Sequence, residues 1–185
     1  VIIDHSWTLF LDRDGVINER IMDGYVRTWE QFSVLPGVYE AIKTFNKIFQ
    51  HTFIVTNQAG VGKGLMSNED LNEIHKRFMA DITQHGAHID GIYCCTALPD
   101  EAGNCRKPAP AMAMKARQDF PDIDFERAFM VGDTRVDLLF GRNIGAYTVL
   151  IVHPTDEQKN IEDDLVDLRF GSLLEFARFL LASQN

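Results

Sequence analysis

The chain has 185 residues, of which 45% are hydrophobic, and it carries 27 acidic against 18 basic side chains for a formal charge of −9. That length suits one domain over 1–185 with a full core, and the composition shows no repeat, low-complexity tract or disorder signature. The negative balance disfavours a nucleic-acid surface, and the lack of a long apolar run or signal peptide in the N-terminal stretch predicts a cytoplasmic protein with no membrane partner.

In chain order, Trp7–Leu11 reads as a strand buried on both faces, and it stops abruptly at Asp12-Arg13-Asp14-Gly15. Residues 19–33 form a mixed polar and aromatic connection. Pro36-Gly37 then opens a helix whose apolar stripe runs through Val38, Ala41, Ile42, Phe45 and Ile48. Thr52–Val55 is a second buried strand that runs into Thr56-Asn57-Gln58-Ala59-Gly60-Val61-Gly62-Lys63-Gly64. Ser67, with Asp70 three residues later, predicts a capped helix carrying Leu71, Ile74, Phe78 and Ile82.

Ile89–Cys95 is the third predicted strand. A loop over 96–105 leads to Arg106-Lys107-Pro108 and then to a helix over 111–120. Ala128–Val131 is the fourth strand, closed by Gly132-Asp133. Asp137 falls on or near a helix ending around Gly145, Ala146–Val152 is a fifth strand, and Leu173–Leu181 a terminal amphipathic helix.

Strand and helix alternate throughout, which predicts an α/β fold, a Rossmann-like open parallel sheet with helices on both faces. In such a sheet the carboxyl ends of the strands share one edge. Asp12 and Asp14, Thr56 and Asn57, Arg106 and Lys107, and Asp133 with Asp137 all fall at or near these ends, so they are expected to converge. Two acids as close as Asp12 and Asp14 repel unless a cation neutralises them, and a hard divalent ion such as magnesium suits carboxylate oxygens. Each polar residue then has a place in phosphoryl transfer. Asp12 is the expected nucleophile, and Asp14 the acid/base, its pKa raised by neighbouring carboxylates. Asp12, Asp14 through its backbone carbonyl, and Asp133 are the expected metal ligands. Thr56 and Lys107 are placed to bind the transferring oxygens, and Asp137 to orient Lys107 or a metal-bound water.

The motifs FLDRDGVIN at 10–18, TNQAGVGKG at 56–64, RKPAP at 106–110 and VGDTRVD at 131–137 together resemble the haloacid dehalogenase superfamily of phosphohydrolases. Their wording is most similar to the branch that holds heptose bisphosphate phosphatases and histidinol phosphatases. The resemblance implies a magnesium-dependent phosphate monoester hydrolase working through an aspartyl-phosphate. It adds Asn57 to the phosphate contacts and Arg106 to the substrate-binding residues. That branch also holds its third loop with zinc on Cys-x-His and Cys-x-Cys. Here Cys95 and Cys105 match the outer ligands while Ala97 and Gly103 replace the inner ones, so structural zinc is not expected, with or without the adjacent Cys94. The odd cysteine count does not point to a disulfide framework.

The gaps between motifs are too short for a cap domain, which predicts an open site lined by the loops over 19–33 and 96–105. Charges in those loops are balanced, with Arg13, Arg20, Arg27, Lys63 and Arg106 against Glu19, Asp23, Glu30, Asp100 and Glu101. Heptose 1,7-bisphosphate, its second phosphate met by Arg106 and Lys63, is preferred to histidinol phosphate or another sugar phosphate. A nucleotide loop fails because Gly64 stands where Ser or Thr is needed. A dinucleotide fingerprint fails because acids follow the first strand. A phosphorelay receiver would place its acceptor Asp at the end of the third strand, which ends here in Cys94-Cys95. A catalytically silent binding protein is disfavoured because none of the expected catalytic groups is missing. The sequence carries no signal for an oligomeric state.

Overall fold

The computed structural model describes residues 3–155 and 157–184. β1 (Thr8–Leu11) is buried at every position, as its unbroken apolar character demands. α1 (Val38–Ile48) starts after Gly37, whose φ of 80° turns the chain, and it buries the predicted stripe. β2 (His51–Asn57) extends further than expected and takes Thr56 and Asn57 into the strand itself. α2 (Ala59–Gly62) is a single turn within the glycine-rich stretch. α3 (Asn68–Gln84) begins with the predicted capping box, the Ser67 hydroxyl accepting from the Asp70 N–H at 3.0 Å and Asp70 Oδ2 from the Ser67 N–H at 2.8 Å. β3 (Gly91–Cys95), α4 (Ala111–Asp119), β4 (Ala128–Gly132), α5 (Arg135–Ile144) and β5 (Tyr147–Ile151) follow as read from the sequence. β6 (Leu168–Phe170) was not predicted, and α6 (Leu173–Ser183) closes the described chain.

The six strands form one parallel sheet in the order β3-β2-β1-β4-β5-β6. Side-chain alternation sends Leu9, Leu11, Ile54, Val131 and Val149 to one face, where they pack with Phe45, Phe78 and Phe176 of α1, α3 and α6. Phe10, Phe53, Val55 and Met130 face the other way and meet Met112 and Ala116 of α4 and Phe140 and Ile144 of α5. Each fully buried Phe or Leu contributes about 1.5–3 kcal/mol relative to exposure, so two such layers fix the strand register firmly.

The chain runs outward from β1 in both directions, first to β2 and β3, then back to β4 and onward. β1 and β4 therefore flank the point where the winding reverses, and their carboxyl ends open a crevice between diverging connections. Among the described residues no cap domain stands over that edge. The segment between β1 and α1 holds a 3-10 turn at Trp29–Gln31 and isolated bridges from Asn18 to Asp14 and Val34. No described helix is long and apolar enough to cross a membrane.

Candidate active site

The crevice is built from the strand ends upward. Past Leu11 the Asp12 N–H still donates to the Val131 carbonyl at 2.9 Å, so Asp12 continues the β1–β4 ladder. The chain then folds back tightly, with the Arg13 carbonyl accepting from the N–H groups of Val16, Ile17 and Asn18. Gly15 sits at φ 93° against the Asp133 carboxylate, and any Cβ there would overlap Asp133 Oδ2. This turn brings Asp12, at the end of β1, beside Asp133, at the end of β4.

Lys107 joins them from far along the chain. Its ammonium is buried and lies 2.6 Å from Asp12 Oδ1, 2.6 Å from Asp137 Oδ1 and 2.9 Å from the Val55 carbonyl, which uses all three of its protons. Burial alone would push Lys107 down, but Asp12 and Asp137 outweigh it and hold the ammonium well above the usual lysine range. Asp137 thus contacts Lys107 directly, as the first of the two tasks expected of it would require. Its other oxygen, Oδ2, accepts from the Thr134 N–H at 3.0 Å and hydroxyl at 2.7 Å, capping α5.

Asn57 lines the crevice, and its side chain is tied to Lys107. Its Oδ1 accepts from the Lys107 N–H at 2.9 Å and its Nδ2 donates to the Lys107 carbonyl at 3.2 Å, so the amide positions the lysine. Thr56 presents its hydroxyl at the end of β2, where it accepts from Gln58 Nε2 at 2.9 Å.

Asp14 departs from the expectation of a raised pKa. Burial does push its carboxyl up, but the Arg13 charge and the hydrogen bonds from Arg13, Asn18 and Gln58 outweigh burial and hold it below the usual range. Arg13 Nη2 and Asn18 Nδ2 each donate to Oδ1 at 3.0 Å, and Gln58 Nε2 donates to Oδ2 at 2.8 Å. Counting nearby acids missed this, because Arg13 turns inward and the chain brings Asn18 and Gln58 alongside.

Asp12, Asp133 and Asp137 offer carboxylate oxygens within 4.8 Å of one another. Burial and the Asp137 charge push Asp12 up against the pull of Lys107, and burial with Asp137 and Asp12 does the same to Asp133. Asp133 Oδ1 is buried with no hydrogen-bond partner. Clustered hard oxygens, one of them unpartnered, fit a divalent cation of the magnesium kind.

The crevice opens into a cleft of about 640 Å³ lined by Asp12, Asp14, Thr56, Asn57, Arg106, Lys107 and Asp137. Every sequence-predicted site residue except Asp133 faces it. Asp133 lines an adjoining cleft of about 300 Å³. Arg20 borders both, with Nη1 3.1 Å from Glu157 Oε2 and 3.5 Å from Asp133 Oδ2. Lys63 lies over the Tyr25 ring at 5.3 Å on another wall. The sequence names Arg20 only as a loop charge and Lys63 as a contact for a second phosphate, and it gives no role to Gln58, Asn18, Thr134 or Glu157. Gln58 directly follows Thr56-Asn57 and was findable; Glu157, at a separation of 137 residues from Arg20, was not.

The loop over 96–105 is closed by a disulfide between Cys95 and Cys105, which the sequence reading did not anticipate, and Cys94 is a free thiol. The two thiols at zinc-ligand positions are thus bonded to each other. β3 ends at Cys95 with no acid, which removes the receiver arrangement.

A family model described as HAD-hydrolase-like matches residues 104–167. The D-glycero-alpha-D-manno-heptose-1,7-bisphosphate 7-phosphatase of Mycobacterium bovis is 39% identical over 142 residues, covering 77% of this chain and 75% of that protein. The D-glycero-beta-D-manno-heptose-1,7-bisphosphate 7-phosphatase of Pseudomonas putida is 36% identical over 175 residues, covering 94% and 98%. Among solved structures, the D,D-heptose 1,7-bisphosphate phosphatase of B. bronchiseptica, complexed with magnesium and phosphate, superimposes with a TM-score of 0.84 at 28% identity, covering 95% of this chain and 98% of that one.

Proposed function

Because the chain belongs to the haloacid dehalogenase superfamily of phosphatases, we propose that its cleft removes the 7-phosphate of D-glycero-D-manno-heptose 1,7-bisphosphate with magnesium as cofactor. The observation that carries this reading is the buried Lys107 ammonium shared by Asp12 and Asp137 beside the Thr56 hydroxyl. It is a preorganised anion site next to a carboxylate, which phosphoryl transfer to Asp12 requires.

Asp12 attacks phosphorus and forms an aspartyl-phosphate while the sugar oxygen departs. Asp14 supplies the proton to that oxygen and then takes one from the water that hydrolyses the intermediate. The resting Asp14 is ionised, so it must first gain a proton, and the arriving phosphate dianion is the like charge that raises its pKa. Thr56 holds an equatorial oxygen through its hydroxyl proton, and Lys107 holds another with the proton it gives Asp12 Oδ1 at rest, keeping its bonds to Asp137 and the Val55 carbonyl. Asp12, Asp133 and the Asp14 carbonyl would hold magnesium, which supplies charge neutralisation to the phosphoryl group.

Arg106 and Lys63 line the same cleft and are assigned to the second phosphate of the substrate. One domain spanning residues 1–185 carries the activity. The strongly negative chain suits a small metabolite as partner rather than nucleic acid, and cytoplasmic work. The test is a comparison of kcat/KM for heptose 1,7-bisphosphate, as both anomers, with histidinol phosphate and simple sugar monophosphates. A preference for histidinol phosphate, or indifference to the second phosphate, would defeat the heptose reading while leaving the phosphatase intact.

A further inference from the structure

Arg13 is a charged side chain that is 1% exposed, an expensive arrangement unless its donors are met. Two of its nitrogens are. Nη2 donates to Asp14 Oδ1 at 3.0 Å, and Nη1 lies 3.1 Å from Nε2 of His75, on α3. Nε has no partner, and the face of the Phe32 ring lies 5.7 Å from the guanidinium carbon. Arginine is always protonated and has no acceptor, so Nη1 must donate and His75 Nε2 must accept. That fixes His75 as the neutral tautomer with its proton on Nδ1. Burial and the Arg13 charge together push the imidazole down to about 4, against the pull of Asp14, which agrees with a neutral acceptor.

His75 is outside the catalytic cleft and touches nothing that reacts. Its contact with Arg13 is nevertheless one of the two side-chain hydrogen bonds that hold the guanidinium plane. Arg13 and Asn18 together hold Oδ1 of Asp14, and Gln58 Nε2, which also donates to the Thr56 hydroxyl, holds Oδ2, so the carboxyl that lines the cleft is fixed at both oxygens. We infer that His75 is a positioning residue for the acid/base step, acting through Arg13 to aim the Asp14 carboxyl at the leaving oxygen. Without an acceptor at the Nε2 position, the Nη1 donor is left buried and unpaired. The guanidinium then tilts to find another partner, and Asp14 tilts with it.

This rests on the phosphatase reading, and the test keeps the two apart. A general acid matters in proportion to the basicity of the leaving group. An alkoxide needs the proton, whereas p-nitrophenolate departs without it. Two substitutions separate reach from bulk, since the amide oxygen of His75→Gln can occupy the place of Nε2 and that of His75→Asn falls short. The measurement is kcat/KM on p-nitrophenyl phosphate and on the best alkyl phosphate from the substrate comparison. For His75→Asn, alkyl phosphate turnover should fall about tenfold to a hundredfold while p-nitrophenyl phosphate changes less than about threefold. His75→Gln should stay within about threefold of wild type on both. Equal losses on the two substrates, no loss in His75→Asn, or His75→Gln behaving like His75→Asn would overturn the inference. A wild type inactive on both substrates would instead bring down the phosphatase reading, and this inference with it.

Discussion

The Asn57 side chain grips the Lys107 peptide at both ends, accepting its N–H at 2.9 Å and donating to its carbonyl at 3.2 Å. An amide donates and accepts at once whereas an ionised carboxylate only accepts, so Asn57→Asp should fail to replace it. We expect Asn57→Asp and Asn57→Leu both to lower kcat by about tenfold or more, as Lys107 loses its fixed place. Steady-state kinetics on the two variants check this, and near-wild-type kcat in Asn57→Leu would remove the positioning role.

Asp12→Asn should abolish turnover, because an amide cannot form the acyl-phosphate. Asp14→Asn should keep a slow first step and lose about 10²- to 10⁴-fold in overall rate. Rapid quench with mass detection of the phosphorylated chain distinguishes the two. Ordinary turnover in Asp12→Asn would refute the mechanism.

Removing the Lys107 charge strands two buried carboxylates. Lys107→Met should therefore cost about 3–5 kcal/mol of stability near neutral pH in the absence of metal. Part of that loss should be recovered at pH 5, where Asp12, its carboxyl raised by burial, can take up a proton. Urea denaturation at the two pH values measures it, and a loss independent of pH would count against the pairing described.

The response to magnesium should depend on pH. Asp12 and Asp133 are raised in the folded, metal-free protein, by burial and by neighbouring carboxylates. The folded state thus keeps protons that the unfolded chain releases above about pH 4, and the contribution of these two groups to stability falls as pH rises from there through the raised values. Metal must displace those same protons. Saturating magnesium should therefore raise Tm more at pH 8 than at pH 5, and an equal shift at both would place the cation elsewhere.

Gly15 offers a sharper probe of the metal ligands. Its φ of 93° and its contact with Asp133 leave no room for a methyl group. Gly15→Ala should weaken magnesium binding about 10- to 100-fold by displacing that carboxylate. Isothermal titration with magnesium reads it directly.

The sheet edge that gathers the candidate site residues was legible because they are short-range signals. FLDRDG announces a buried strand that ends in acids, and Val131-Gly132-Asp133 repeats that pattern. The uncapped architecture followed from the spacing between motifs. β6 was missed because three residues at the sheet margin carry too little periodicity to read, and α2 because its glycines read as loop. Asp14 was misjudged on its charge environment, since the sequence places Arg13 next to it but cannot say which way either side chain turns. The Cys95–Cys105 bond and the His75–Arg13 contact depend on how loops and helices pack over the sheet, and neither has a local signature.

Lys107 meets Asp12 across a separation of 95 residues, and Arg20 meets Glu157 across 137. Contacts of that range form late, because the intervening chain must be ordered first. The reversal of winding at β1 thus ties catalysis to the completion of folding. β1 is made early in synthesis, but its acids have no lysine until the loop before α4 is made and no Asp133 until β4 docks beside it. A fragment ending before residue 128 has no partly active centre, and during refolding the return of turnover should trail the return of helical signal.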